Sequence, residues 1–273
     1  MRPALIQAVV FAAAALGVAP PVLAQERIPS HCIALAAGEA TVQPAALNDG
    51  LEDGSVLIRY IDHASFAIVT HDGTVAVTDY TGYIGTQDVV PDVVTMNNAH
   101  STHWTAAPDP RIPHVLQGWA TGSAADHRLD LGTMLVRNVP TDTRGPFGEG
   151  ARANGNSIFI FEAGGLCIGH LGHLHQIPSD AQYAAIGRLD VVMVPVDGGY
   201  TLRLGDMAGV VRRLRSSVVI PMHWFSRASL DAFLTEMSAE FTVVETGGAQ
   251  LALSLDDLPS APTIMVLEPA YLD

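Results

Sequence analysis

The most informative absence in this 273-residue chain is lysine, because all 14 of its basic side chains are arginine. Without a lysine amine, the chain has no group for Schiff-base catalysis, for a P-loop phosphate site or for a lysine general base. The basic residues are also outnumbered by 28 acidic ones, which gives a formal net charge of −14. Such a surface repels nucleic acid and anionic membranes, so we predict neither as a partner.

Cysteine is almost as scarce, and the chain contains two, Cys32 and Cys167. In an oxidising compartment a disulfide between them would fix an N-terminal segment to the core. The alternatives are two free thiols, with Cys167 buried in an apolar strand, or metal ligation by Cys167 close to His170. The sequence leaves this choice open.

Long apolar runs are confined to the N-terminus. A short basic start precedes an apolar run over 4–18, which is shorter than the roughly 20 residues needed to span a bilayer. Small residues then lead up to Ala24, the pattern of a secretory signal peptide over 1–24 that is cleaved after Ala24. A membrane anchor is the alternative. We predict a periplasmic or secreted protein with no stable membrane association after cleavage.

The rest of the chain has the length of one large α/β domain or two small ones. A mixed lead-in segment covers 25–50, and short β-branched runs from Ser55 onward predict antiparallel strands. After His175 strands alternate with predicted helices at 179–189, 206–214 and 229–237. A strand-rich first half and a strand–helix second half predict two packed sheets with helices outside.

Histidine is abundant where the other reactive residues are few. Six of the 11 histidines lie in three short clusters, and each cluster follows an apolar, strand-like run. Neutral imidazole is the commonest metal ligand in proteins, and strand ends deliver side chains to one edge of a sheet. The clusters therefore predict a metal site built from His100, His103, His170, His173, His175 and His223, or from a subset of them.

These segments resemble the metallo-β-lactamase superfamily, most closely its lactonase and phosphodiesterase-like branch, over about 55–244. The resemblance rests on the order and spacing of several weak markers: Asp62–Phe66, Val77–Tyr80, the cluster at 98–103, Ala163–His173, Val194–Thr201 and Ile220–His223. It implies an α/β fold over 51–273, a four-layer αββα sandwich of two mixed β-sheets with outer helices. It also implies metal at the ends of the sheets.

The family's metal motif is degenerate here. His-x-His-x-Asp-His falls on Asn98, His100, Thr102 and His103, so two expected ligands are missing. His170 matches the next ligand, and His223 matches the last. His173 stands at the position of the family's bridging aspartate.

This substitution pattern predicts one metal ion rather than two. His103, His173 and His223 would form three imidazole ligands with an open position, as in catalytic zinc sites. Without a bridging carboxylate, two dications repel each other at short range. His100 and His170 would support these ligands or complete a hybrid site. Zinc is the default from the ligand type, and iron, nickel and copper are the alternatives.

Further residues are expected to support or use the metal. The resemblance places His63 and Asp79 close to the site, where they would orient imidazoles by hydrogen bonds together with Asn98 and Thr102. His175 would face the cavity mouth as a catalytic residue that handles a proton. Asp197 would accept a proton from water or hold an imidazole, unless it is a simple turn carboxylate.

The sequence therefore predicts an exported metal-dependent hydrolase that uses metal-bound hydroxide on a small ester, lactone or phosphodiester-type substrate. One alternative is a non-catalytic descendant that binds a metal or ligand, and another is an oxidoreductase-type iron site. Prolines 108, 110 and 113 disfavour a helix after the first cluster. That loop and the segment 141–156, with Arg144 and Arg152, would shape specificity. The sequence does not indicate an oligomeric state.

Overall fold

The computed structural model of the chain describes residues 30–33, 46–48, 50–144 and 151–272. The predicted signal peptide at 1–24 and most of the predicted lead-in at 25–50 lie outside these residues. Among the helices of the described residues, none has the length and apolarity needed to cross a membrane.

Six strands of the described residues form the first sheet. Its N-terminal half is antiparallel because short turns join the first three strands of the chain, and the next two strands, which are parallel, complete the other edge. The β-branched runs predicted from Ser55 onward form the centre of this sheet. In spatial order its strands are β13 (Gln250–Leu253), β1 (Val56–Asp62), β2 (Ser65–Thr70), β3 (Val75–Val77), β4 (Val93–Met96) and β5 (His114–Gln117).

Eight strands form the second sheet, and five of them run parallel. Three of the parallel strands in the middle of this sheet are buried at every position, which explains their mainly apolar sequences. In spatial order the strands are β12 (Thr242–Glu245), β14 (Thr263–Val266), β11 (Val218–Met222), β10 (Val191–Pro195), β9 (Leu166–His170), β8 (Ala151–Ala163), β7 (Met134–Arg144) and β6 (Arg128–Asp130).

Three helices of the described residues pack against the second sheet: α1 (Asp180–Ile186), α2 (Leu204–Leu214) and α3 (Arg227–Met237). Helix α1 begins at the predicted cap Ser179, whose hydroxyl accepts the backbone N–H of Gln182 in a capping box. Two mixed sheets packed face to face, with outer helices, confirm the predicted sandwich.

The outer face of the first sheet is covered differently. Ile112, Trp104 and Trp119 pack against it from irregular segments. The part of the chain from 98 to 113 contains turns and bends but no helix, as its three prolines predict.

An N-terminal clasp, formed by residues 30–33, joins the lead-in to the second sheet. Cys32 and Cys167 form a disulfide across 135 positions of sequence, so the free-thiol alternative is wrong. Beside the disulfide, the Ser30 hydroxyl donates to Glu162 Oε1 at 2.6 Å, and the His31 N–H donates to Glu162 Oε2 at 3.1 Å. The clasp therefore rests on a covalent bond and on one buried carboxylate.

Candidate metal centre

The histidine clusters meet where strands of both sheets end. The parallel strands β9, β10 and β11 of the second sheet lead directly into the segments that carry His173, Asp197 and His223. In the first sheet, β3 leads to Asp79, β4 leads to His103, and the turn between β1 and β2 carries His63. Because all these ends lie at one edge, residues far apart in sequence form a single cluster of rings.

The first carboxylate–imidazole pair is Asp197 with His223. Asp197 Oδ1 accepts the His223 Nδ1–H at 3.0 Å, and Oδ2 accepts the backbone N–H groups of Gly199 at 2.8 Å and Thr201 at 3.1 Å. Burial alone would raise the pKa of Asp197, but the hydrogen bonds from His223, Thr201 and Gly199 hold it well below its usual value. Both oxygens of Asp197 are therefore committed, and of its two predicted roles the geometry favours holding an imidazole over accepting a proton.

The second pair is Asp79 with His103. Their Oδ2 and Nδ1 atoms are 2.5 Å apart, and Asp79 Oδ1 accepts the backbone N–H of Asn97 at 2.8 Å. Both side chains are completely buried. Burial raises the pKa of Asp79 to about 7 and lowers that of His103 well below its ordinary value. Asp79 thus contacts the one imidazole nitrogen through which a carboxylate could orient His103.

The two pairs direct their remaining nitrogens at each other. His103 Nε2 and His223 Nε2 are 3.2 Å apart, with the rings inclined by 17°. When each Nδ1–H donates to its carboxylate, both Nε2 atoms carry lone pairs that face the same point. Two nitrogens on one tetrahedral zinc stand about 3.3 Å apart, given bond lengths of about 2.0–2.1 Å. The spacing and chemistry of this pair fit a metal ion between the rings.

His63, which is predicted to support the metal ligands, lies beside this pair. The donor nitrogens of His63, His103 and His223 lie within 4.8 Å of one another. His63 Nε2 is buried and has no hydrogen-bond partner among the described residues. Burial, followed by repulsion from His223 and His103, lowers the pKa of His63 to about 3, which keeps the ring neutral. Its sequence marker, Asp62–Phe66, located it near the site but not in it.

A second set of nitrogens within 4.8 Å of one another combines His103 with His100 and His173. The predicted trio of His103, His173 and His223 is therefore divided between two sets, although the His173 and His223 ring centroids are 5.0 Å apart. His100 is exposed, and its Nδ1 lies 3.0 Å from Thr102 Oγ1. His173 Nδ1 is 2.5 Å from His175 Nε2.

The geometry does not bring His170 into either set. Its Nδ1 accepts the backbone N–H of Gly172 at 3.2 Å, which places the proton on Nε2, and Nε2 lies 2.8 Å from the carbonyl oxygen of Ala64. Both nitrogens are occupied, so His170 connects the end of β9 to the turn between β1 and β2 instead of offering a lone pair. Gly172 has a φ of 58°, and a side chain there would collide with Asn97.

Asn98 is predicted to support the metal ligands, and the adjacent Asn97 makes side-chain contacts with Ser157 and His170. Asn97 Nδ2 donates to the Ser157 carbonyl at 2.8 Å and lies 3.1 Å from His170 Nδ1. Asn98 is buried and forms an isolated backbone bridge with Asn156. The contacts of Asn97 were not predicted, because no local signal distinguishes two adjacent asparagines.

Three residues of the site have a left-handed backbone, which L-residues other than glycine rarely adopt. The φ angles are 47° at His63, 42° at Asp79 and 56° at His223. Hydrogen bonds hold this geometry, since the His223 N–H donates to the His63 carbonyl at 2.8 Å and the Tyr60 hydroxyl donates to the same oxygen at 2.6 Å. Such conformations cluster at functional sites because the surrounding structure must enforce them.

Two exposed aromatic rings stand at the rim of the cluster. Phe225 is 62% exposed, and its ring centroid lies 5.2 Å from those of both His63 and His223. Tyr200 is 69% exposed and packs edge-on against Phe225 at 5.3 Å. This apolar surface was not foreseen from the sequence, since isolated aromatic residues in loops carry no distinguishing pattern.

We expect the metal-free protein to lose stability as the pH falls below about 6.5. Burial lowers the pKa of His103 and His173, so unfolding takes up two protons there, whereas Asp79, with its pKa raised to about 7, releases one. The unfolded state thus binds more protons, and stability falls by at least about 1.4 kcal/mol per pH unit between pH 6.5 and 4. Urea unfolding in chelator at pH 7.5, 6.5 and 5.5 measures this slope, and a flat profile would contradict it.

Comparison with known proteins gives a consistent result. The family described as "Beta-lactamase superfamily domain" matches residues 57–223, which run from β1 to the last histidine of the cluster. A metal-dependent hydrolase from Carboxydothermus hydrogenoformans is 27% identical over 99 residues, which cover 36% of this chain and 44% of the relative. The match thus spans less than half the length of that curated relative.

Solved structures share the fold. A protein from Thermotoga maritima, described as a Zn-dependent hydrolase of the metallo-beta-lactamase superfamily, is 25% identical with a TM-score of 0.57, covering 78% of this chain and 99% of its own. A metallo hydrolase from Ignicoccus hospitalis is 16% identical with a TM-score of 0.53, covering 74% and 99% respectively. The second likeness concerns the fold alone.

Proposed function

We propose that this chain, which belongs to the beta-lactamase superfamily of metal-dependent hydrolases, is an exported hydrolase. It works with one metal ion held between His103 and His223. The observation that carries this proposal is the pair of Nε2 atoms 3.2 Å apart, each on a ring whose Nδ1 contacts a buried carboxylate. Carboxylate–histidine–metal arrangements fix the ring and increase the basicity of the ligating nitrogen.

The donor set supports a single ion. Asp79 contacts His103 Nδ1, so only Nε2 of His103 is free, and one lone pair binds one metal. Nitrogen ligands suit zinc, and iron, nickel or copper fit the same set. Asp79 and Asp197 place two carboxyl groups one imidazole away from the ion, where they compensate its charge.

The chain's own residues hold and shape the reaction site. When bound, the metal supplies Lewis acidity toward the substrate oxygen and activates water for attack. Asp79 and Asp197 orient the ligating rings, and the buried walls exclude bulk water. Phe225 and Tyr200 offer an apolar surface beside the cluster, which fits a small ester, lactone or phosphodiester with an apolar substituent. The net charge of −14 disfavours large polyanionic substrates.

Metal removal tests this proposal. We expect the purified protein to contain about one zinc per chain by plasma mass spectrometry, in line with a three-imidazole site with one open position. A chelator should abolish turnover in a panel of esters, lactones and phosphodiesters, and one equivalent of metal should restore it. Full turnover in the metal-free protein, or failure to take up any metal, would overturn the proposal, and bound iron would redirect it toward redox chemistry.

A further inference from the structure

We infer that the third protein ligand of this metal is His63, and that His173 is a hydrogen-bond donor to the substrate instead of a ligand. This inference rests on the proposed function and deepens it. It differs from the ligand set that the family motif implies, in which the position of His173 carries a metal-bridging aspartate.

A chain of hydrogen bonds fixes where His173 carries its proton. The backbone N–H of Arg144 donates to His175 Nδ1 at 2.6 Å, and a backbone amide has no alternative role. Neutral His175 therefore carries its proton on Nε2, which donates to His173 Nδ1 at 2.5 Å. Neutral His173 in turn keeps its proton on Nε2. An N–H group has no lone pair for a metal, so this ring is not prepared as a ligand.

The directions of these hydrogen bonds require both rings to be neutral, because each Nδ1 accepts a hydrogen bond and therefore carries no proton. The assignment stands on the direction of the Arg144 amide.

His63 has the opposite properties. Its Nε2 is buried without a hydrogen-bond partner among the described residues, which is costly for a polar atom unless something else binds it. Its ring centroid lies 4.0 Å from that of His223. The hydrogen bond from the His223 N–H to the His63 carbonyl ties the two backbones together, so both rings approach the ion from one rigid unit.

The two sets of nitrogens exclude each other, since both depend on His103 and only its Nε2 is free. The competing set contains His100, which is exposed, and His173, which is protonated on Nε2. The set with His63 contains one ring backed by Asp197, one backed by Asp79 and one unpartnered nitrogen. The chemistry of the donors therefore favours His63, His103 and His223.

This assignment gives His173 a catalytic role. A ring nitrogen of His173 lies within 4.8 Å of one of His103, so the ring borders the space beside the ion. A fixed donor there stabilises the negative charge that develops on a substrate oxygen during hydrolysis. The aspartate of the family offers only acceptors when ionised, so the imidazole adds a donor that the motif lacks. His175 is the positioning residue that sets the polarity of this donor.

Cobalt titration of the metal-free protein separates the two roles. We expect His63→Ala to weaken Co²⁺ binding at least about 100-fold, as loss of a ligand exceeds the effect of losing an outer partner. His173→Ala should change the affinity by less than about threefold and keep the visible absorption bands of the bound ion. His71→Ala is the matched control, because His71 lies in a turn outside the cluster.

Histidine ¹⁵N NMR of the wild-type protein with zinc provides a test that needs no variant to fold. His173 should show a protonated Nε2 and an acceptor Nδ1, whereas His63, His103 and His223 should show metal-bound nitrogens. A metal-bound His173, or loss of Co²⁺ binding in His173→Ala with retention in His63→Ala, would overturn the inference while leaving the proposed function intact. Absence of metal binding in the wild type would instead overturn the proposed function.

Discussion

Replacing His223 with alanine is expected to lower metal-dependent turnover by at least about a thousandfold, or about 4 kcal/mol of transition-state stabilisation. His223 is almost completely buried, and its Nε2 is one of the two that face each other across 3.2 Å. Its loss removes a ligand and leaves Asp197 without its imidazole partner. Initial rates on the best substrate of the panel, measured with saturating metal, provide the test.

A milder substitution distinguishes the loss of a metal ligand from the loss of the carboxylate that orients this ligand. Asp197→Asn keeps the shape of the side chain but weakens the acceptor for His223 Nδ1–H, so we expect metal affinity to fall about 10- to 100-fold. High metal concentration should recover most of its activity, whereas His223→Ala should stay inactive. Wild-type rates in His223→Ala, with its fold confirmed by circular dichroism, would contradict the assignment of the site.

Replacing Glu162 with alanine is expected to destabilise the protein by about 3–5 kcal/mol, since it leaves a buried cation unpaired. Arg137 Nε donates to Glu162 Oε1 at 2.8 Å, and the two side chains are only 7% and 1% exposed. The same carboxylate accepts from Ser30 and from the His31 N–H, so the substitution also loosens the N-terminal clasp. Urea unfolding of the oxidised protein measures the effect.

An exposed ion pair of the same chemistry serves as the control. Arg227 and Glu245 form a salt bridge in which the side chains are 54% and 47% exposed. Glu245→Ala should cost less than about 1 kcal/mol, because solvent screens such a pair. Equal losses of unfolding free energy in Glu162→Ala and Glu245→Ala would show that burial does not determine how much Glu162 contributes to stability.

The sequence predicted the fold well where local patterns carry it. Capping by Ser179 and the apolar periodicity located the three α-helices of the described residues, and the β-branched runs located the centres of both sheets. The short edge strand β6 was missed, as were β13 and β14, which follow the region of family resemblance. β14 lies between β11 and β12 in space although it follows both in sequence, and such an insertion depends on long-range pairing that no local pattern encodes.

The sequence predicted the histidine cluster, because parallel strands deliver their ends to one edge of a sheet. Which of these histidines hold the metal stays a prediction. The contacts of His170 include the backbone N–H of Gly172, which the sequence does not reveal. The roles proposed for His173 and His63 rest on the amide of Arg144 and on the turn at 63, and neither contact can be recognised from residue identity.

The left-handed backbone at Asp79 favours glycine, whereas the contacts of its side chain favour aspartate. Glycine adopts a φ of 42° without the strain of roughly 1–3 kcal/mol that other residues meet there. Asp79→Gly would also remove a buried carboxyl group that is costly to ionise. The same substitution would leave the buried N–H of Asn97 and the buried Nδ1–H of His103 without an acceptor, which costs about 1–3 kcal/mol for each group. The strained aspartate is therefore expected to persist even in a laboratory evolution experiment that rewards heat resistance alone.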